Sequence, residues 1–435
     1  MISLLGLIGA LALLIYLTIR GMNLLIAAPL TAMIIALTGG LSLMPSGTQN
    51  HDFIHSYMSG FTSFISSWFF MFLLGALFGK LMEDSGCADS LARWIVSKLG
   101  IHNAALAVVA VCAVLTYGGV SVFVVAFSAY SIALSLFKQA NLPRRFIPAV
   151  MAFGSVTFTM TSAGSPEIQN WIPIKYLGTS PYAGWQVSLI VAVFMALFGY
   201  LWMQRMLRKA VANGEHFQAR EGDPVIEDKA LPNPMIAALP IFAVLVVTYL
   251  GHNAFAQYAL ILALLSGCLT AWLLNTRYIS NISMTVGSGT TGSLLAIGNT
   301  AAVVGFGSVA KMSPAFAGAV NYLTAMPGNE LVGAAVAVSA IAAMTGSASG
   351  GQSIALPLLA PHYLDSGVNP DALHRVIAIS SGALDSLPQN GYVVTTIRSI
   401  CGETHQDAYG PVAALTVIIP LIGTAIAVAL FQWFG

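Results

Sequence analysis

The chain has 435 residues, 57% hydrophobic and 8% charged, with a net charge of +1 and a mean hydropathy of +0.82. A soluble domain carries about 25% charged residues, so this composition excludes a soluble globular protein and predicts an all-α integral membrane protein. Scattered Lys and Arg, four distant cysteines (Cys87, Cys112, Cys268, Cys401) and eight dispersed histidines give no footing for nucleic acid, a metal centre or a cofactor.

Spans need about 20 apolar residues, fewer where a helix breaks. In the first half continuous spans are predicted at roughly 2–18, 23–40, 61–82, 102–117, 119–137 and 182–205, with a broken element at 147–175. The first span lacks a basic start and a small-residue cleavage site, so it reads as a span rather than a signal. Residues 87–99 read as a short amphipathic interfacial helix. The polar stretch 208–233 holds five acids and ends in Pro232-Asn233-Pro234; it reads as a solvated cytoplasmic linker. It divides a first repeat, 1–207, from a second, 234–435. The second half gives roughly 235–250, 255–274, 284–310, 330–346, 351–364 and 411–433, with a broken element at 372–400. The total is about 12–14 transmembrane elements.

Lys and Arg in short loops set the orientation. Arg20, Lys98, Lys138, Arg144, Arg145, Arg205, Arg208, Lys209 and Arg277 fall on the cytoplasmic side, while the 41–60 loop has no Lys or Arg. That count puts an odd number of elements in each half, so the halves are expected to be inverted repeats. Three landmark pairs recur at similar offsets: Lys80 and Lys311 at 231, Thr116 and Thr345 at 229, Asn170 and Asn390 at 220.

The two broken elements carry the polar chemistry. Residues 153–170 hold a hydroxyl ladder with Ser155, Thr157, Thr159, Thr161 and Ser162, then Gly164-Ser165-Pro166-Glu167 and Gln169-Asn170. Residues 379–391 hold Asp385-Ser386-Leu387-Pro388-Gln389-Asn390-Gly391. Proline and glycine break a helix, and broken backbone at membrane depth survives only inside protein or along a water-filled cavity. One such element per half marks the substrate site of a secondary transporter. Helix ends exposed there favour an anion. The hydroxyls have a second reading, bonding back to the i−4 carbonyl. The amides of Gln169, Asn170, Gln389 and Asn390 suit hydroxyl recognition or cap the loops. Gly118-Gly119-Val120-Ser121 and Ser347-Ala348-Ser349-Gly350-Gly351 either line the same cavity or simply let helices approach closely. An ionised acid in the membrane is costly and pairs or relays protons. Asp385, and less so Glu167, are therefore the proton-coupling candidates, with helix capping the plainer role for Asp385. Arg375 reads as an interfacial anchor or an anion attractor.

The segments Gly79 to Gly86, Tyr117 to Phe123, Pro143-Arg144-Arg145, Gly154 to Asn170 and Gly382 to Gly391 together resemble the gluconate:proton symporter (GntP-type) family. Pro166-Glu167-Ile168-Gln169-Asn170 and Leu387-Pro388-Gln389-Asn390 look closer to its hydroxybutyrate-permease-like branch. The resemblance implies a carrier of the bacterial inner membrane, coupled to protons. Its substrate would be a small monocarboxylate, a sugar acid such as gluconate or a short hydroxy acid such as 3-hydroxybutyrate. The expected partners are that organic anion, a proton or Na⁺, the bilayer and, as one option, a second copy of the chain. The rival readings are sodium coupling, a passive channel and an intramembrane enzyme. An enzyme would need a paired acid dyad, a Ser–Lys or Ser–His pair, or a metal cluster, and only Glu167 offers Asp385 an acidic companion.

Overall fold

The computed structural model describes residues 2–45, 52–220, 223, 230–255, 258–316, 318 and 329–434. The first half holds α1 (Ile2–Ile19), α2 (Leu24–Gly39), α3 (Phe53–Asp84), α4 (Cys87–Leu99), α5 (Ala104–Tyr117), α6 (Val122–Gln139), α7 (Ile147–Ala152), α8 (Ile172–Leu177) and α9 (Trp185–Ala212). The second half holds α10 (Pro234–Phe255), α11 (Ala259–Asn275), α12 (Ile282–Lys311), α13 (Glu330–Thr345), α14 (Ala348–Asp365), α15 (Pro370–Ser381), α16 (Gly391–Val394), α17 (His405–Ala413) and α18 (Ile419–Phe434). Among the described residues six helices are long and apolar enough to cross a membrane, or seven if the pair 87–99 and 101–117, bent by 108°, counts as one span. The all-helical membrane fold with broken elements is the one the composition predicted.

Local chemistry sets the ends of these helices. Asn23 and Asp52 cap α2 and α3 by accepting from the N–H of Leu25 and of His55, each at 2.9 Å. Such caps satisfy donors that a helix start leaves orphaned. The long helices α3 and α12 pack antiparallel along their lengths, from Tyr57 against Gly305 to Asp84 against Thr285, with α2 against α12 and α11 against α3. Glycine makes that contact close. A Cβ at Gly305 would meet the Tyr57 ring at 2.9 Å, and one at Gly60 would meet the Val304 carbonyl at 2.7 Å. Small residues let helices approach in this way in lipid. Tyr57 then donates to the Ala302 carbonyl at 3.0 Å across the same contact.

Two expectations change in detail. The segments read as separate full spans, 102–117 with 119–137 and 330–346 with 351–364, are instead the paired arms of two hairpins, α5–α6 and α13–α14. Their tips end inside the protein, as the next subsection shows. A hairpin enters and leaves on one side, so the Lys/Arg count is unaffected. The helix at 87–99 is present, but one face is buried: Cys87, Leu91 and Ile95 lie in the core.

Candidate substrate site

The first broken element begins as helix at α7, widens into a π-helical turn over Phe153–Thr157 and then unwinds until Ile168. Gly164 takes φ +78°, a conformation glycine adopts without strain, and its N–H donates to the Pro181 carbonyl at 2.9 Å. The Ser165 carbonyl receives Asn170 Nδ2 and Trp171 Nε1, each at 3.0 Å. In the second element α15 ends at Ser381, and helix resumes at Gly391. Asn390 caps that restart, accepting from the Val393 N–H at 2.9 Å, while its Nδ2 donates to the Gly346 carbonyl at 2.9 Å. Gln389 Nε2 donates to the Ala343 carbonyl at 2.9 Å, and Tyr409 Oη to the Ser386 carbonyl at 3.2 Å. Loop carbonyls freed by the breaks are thus met by side chains, as membrane depth requires.

The two broken elements lie side by side and run antiparallel, because the start of each meets the end of the other. At one end Arg144, just before α7, donates Nε to Glu403 Oε1 at 3.0 Å, just after the second element. At the opposite end Arg375 and His374 of α15 reach the chain beyond α8. Arg375 donates to the carbonyls of Ala183 at 2.9 Å, Thr161 at 2.6 Å and Pro181 at 3.2 Å. His374 Nδ1 lies 2.6 Å from Thr179 Oγ1.

Between the breaks lies a cavity of about 400 Å³. Its lining combines Pro166 to Gln169 of the first element and Asp385, Ser386, Asn390, Gly391 and Tyr392 of the second. Both hairpin tips enter it, with Gly119 and Ser121 from α5–α6 and Gly346 to Ser349 from α13–α14. Walls come from Met71, Phe72 and Gly75 of α3 and Asn299 and Thr300 of α12. Asp385 is 7% exposed and accepts from Ser386 Oγ at 3.0 Å. Glu167 is half-buried and makes no ion pair among the described residues. No Lys, Arg or His side chain lines the cavity among the described residues.

Of the residues singled out from sequence, Gly119, Ser121, Glu167, Gln169, Ser347, Ser349, Asp385, Ser386 and Asn390 come together there. The others lie outside the lining and hold backbone in place. Thr159 bonds back to the carbonyls of Gly154 and Ser155, and Ser162 to that of Phe158 at 2.6 Å. Thr161 offers its carbonyl to Arg375; Ser165 and Asn170 tie the loop internally. The Gly350 N–H donates to Ser347 Oγ at 3.2 Å, and Gln389 braces the α13 end. A Cβ at Gly118 would strike Ile241 at 2.7 Å, which is the packing reason for glycine there. Arg375 is neither an interfacial anchor nor exposed to an anion: it is fully buried on three carbonyls.

Two residues escaped the sequence reading. Asn299 sits mid-way along a 30-residue apolar helix, a polar signal at membrane depth. Gln352 is fully buried, and its Nε2 donates to the Gln169 carbonyl at 3.0 Å and to Ser381 Oγ at 2.9 Å, joining one broken element to the other.

The sequence profile of the citrate transporter family matches residues 12–317. The chain belongs to the citrate transporter family. It is 34% identical to the uncharacterized transporter YxjC of Bacillus subtilis (strain 168), over 94% of each chain. It is 27% identical to a high-affinity gluconate transporter of Escherichia coli (strain K12), but over only 30% of this chain and 28% of that one. The GntP-type resemblance is matched at the coarser level of a citrate transporter family member with a distant gluconate-transporter relative. The fold matches that of the Alcanivorax borkumensis YdaH transporter with a TM-score of 0.58, covering 97% of this chain and 98% of that one at 14% identity. This member of the citrate transporter family is thus a multi-pass membrane secondary transporter and not an enzyme.

Proposed function

We propose that this carrier moves a small hydroxylated organic carboxylate across the bacterial inner membrane together with protons. A sugar acid or short hydroxy acid fits the lining better than a multiply charged anion. The observation that carries the reading is the charge of the cavity: two carboxyls, hydroxyls and amides, and no basic side chain among the described lining residues. A carboxylate beside an ionised Asp385 is repelled by roughly 4 kcal/mol at 4 Å and an effective dielectric of 20. A proton on Asp385 removes that repulsion. Anion and proton then favour each other's binding, and the coupling is reciprocal. The hairpin tips and loop ends offer backbone N–H groups and hydroxyls to the substrate carboxylate and its hydroxyls.

Uptake of labelled gluconate and 3-hydroxybutyrate into proteoliposomes tests this. Accumulation is expected with an inward proton gradient and not without it. Accumulation driven by a Na⁺ gradient alone transfers the coupling to sodium, and no uptake of any short organic acid ends the proposal. Asp385→Asn is expected to abolish gradient-driven accumulation while sparing exchange; intact accumulation leaves Asp385 a structural residue.

A further inference from the structure

The linker was expected to be solvated; its described residues are mostly exposed, and several of them also dock on the two halves. Arg144 Nη1 donates to both oxygens of Asp223 at 3.0 and 3.1 Å and to the Gln218 carbonyl at 3.2 Å. Arg220 donates Nη2 to Glu403 at 3.0 Å and Nη1 to the Gly402 carbonyl. The Arg220 N–H donates to Asp223 at 2.9 Å. With the direct Arg144–Glu403 pair this makes a ring of two cations and two anions. Arg144 and Glu403 are 6% and 7% exposed. A buried pair is stable only when its remaining donors and acceptors are met; here the linker meets Arg144 Nη1, and Tyr130 Oη accepts from Arg144 Nη2 at 3.1 Å.

We propose that Arg144 and Glu403 gate the cytoplasmic end of the two broken elements, and that Arg220 and Asp223 of the linker latch this gate shut. The ring joins the start of the first element to the end of the second on that face, beside the hydrogen bonds from Arg145 Nη1 to the Asp407 carbonyl at 3.2 Å and from Tyr130 Oη to the Cys401 carbonyl at 3.4 Å. From there the chain runs through 147–157 and 391–400 to the cavity residues Val156, Tyr392 and Thr395. Releasing the substrate to that side requires these ends to part. Arg220 and Asp223 belong to no helix, so ordering them costs conformational entropy that the gate contacts help offset. The proposal rests on the carrier reading above, but its test does not need a substrate.

Cys401, two residues before Glu403 and 2% exposed, is a built-in reporter. The probe is a maleimide applied to inside-out vesicles of a protein keeping Cys401 alone, with Cys87, Cys112 and Cys268 changed to alanine. The double variant Arg220→Gln, Asp223→Asn is expected to speed Cys401 labelling about fivefold or more, as loss of local contacts raises opening. Lys209→Gln, outside the ring, is expected to leave the rate unchanged. In a parallel protein keeping only Cys268, which is buried in α11 against the Leu74 carbonyl of α3, the double variant is expected to leave labelling slow. An unchanged Cys401 rate overturns the latch, and so does an equal rise at Cys268, which reports general loosening. Faster Cys401 labelling without any transport keeps the latch and removes the carrier function instead.

Discussion

Arg375 is a fully buried cation whose partners are three carbonyls. A guanidinium presents its donors as a rigid fork, which an ammonium lacks. Arg375→Met takes the Arg375 donor from the buried Ala183 and Thr161 carbonyls at roughly 1–3 kcal/mol each, while the Pro181 carbonyl keeps the Gly164 N–H and Asn170 Nδ2, so the thermal midpoint in detergent is expected to fall. Arg375→Lys is expected to recover part of it, and equal midpoints for wild type and Met variant would contradict the clamp. Gln352 works more locally, fixing the Gln169 carbonyl against Ser381. Gln352→Leu keeps the volume but removes both donors, and is expected to weaken substrate affinity more than maximal rate, with Gln352→Asn no better. A uniform loss of rate at unchanged affinity would assign Gln352 to folding alone. Neither role was legible in the sequence. An arginine near a predicted membrane edge reads as an anchor, and a lone glutamine on a helix shows nothing of which backbone it will face. The breaks themselves were legible, because Gly164-Ser165-Pro166 and Pro388 forbid a continuous helix whatever surrounds them.

At the scale of elements, the hairpin α13–α14 depends on close approach of its arms. A Cβ at Gly351 would lie 2.6 Å from Ala342 Cα and 2.8 Å from its nitrogen, a backbone that cannot step aside. Gly351→Ala is therefore expected to destabilise by about 1–3 kcal/mol, the usual cost of overpacking. At Gly287 on α12 a Cβ meets nothing within 4 Å, so Gly287→Ala is expected to be neutral or to gain up to about 1 kcal/mol from helix propensity. Thermal midpoints of the purified pair measure the contrast, and two equal shifts would refute the packing argument. The sequence placed the arms of both hairpins to within a few residues but read each as a separate crossing. Apolar length alone does not distinguish an arm that turns back from one that continues. The information lies in the tips, Gly118-Gly119 and Gly346, whose role appears only when the cavity shows where they end.

For the whole molecule, the described part of the linker bridges the two halves on one face, touching Arg144 and Arg145 of the first and Gly402 and Glu403 of the second. Arg145 Nε and Nη2 donate to Glu215 at 2.6 and 2.8 Å, and Phe217 N–H donates to Asn141 Oδ1 at 3.2 Å. Composition alone suggested a solvated tether, because acids and bases interleaved along a polar stretch describe a solvated segment equally well. Complementarity to Arg144, Arg145 and Glu403 exists only once the fold gathers those three. Hydrogen bonding from Arg145 holds the Glu215 carboxyl below its ordinary range. A depressed folded value means the undocked linker binds the proton more readily, so docking is favoured above the free-glutamate range of about 4.3. That contribution is lost only as pH falls through the lower docked value. Limited proteolysis of the 208–233 stretch is therefore expected to be unchanged from pH 8 to about 5 and to accelerate below about 4. Glu215→Gln should raise cleavage at pH 7 and flatten the acid response. Release of the linker between pH 5 and 7 would mean that other groups control its docking, and Glu215 would lose the role given to it.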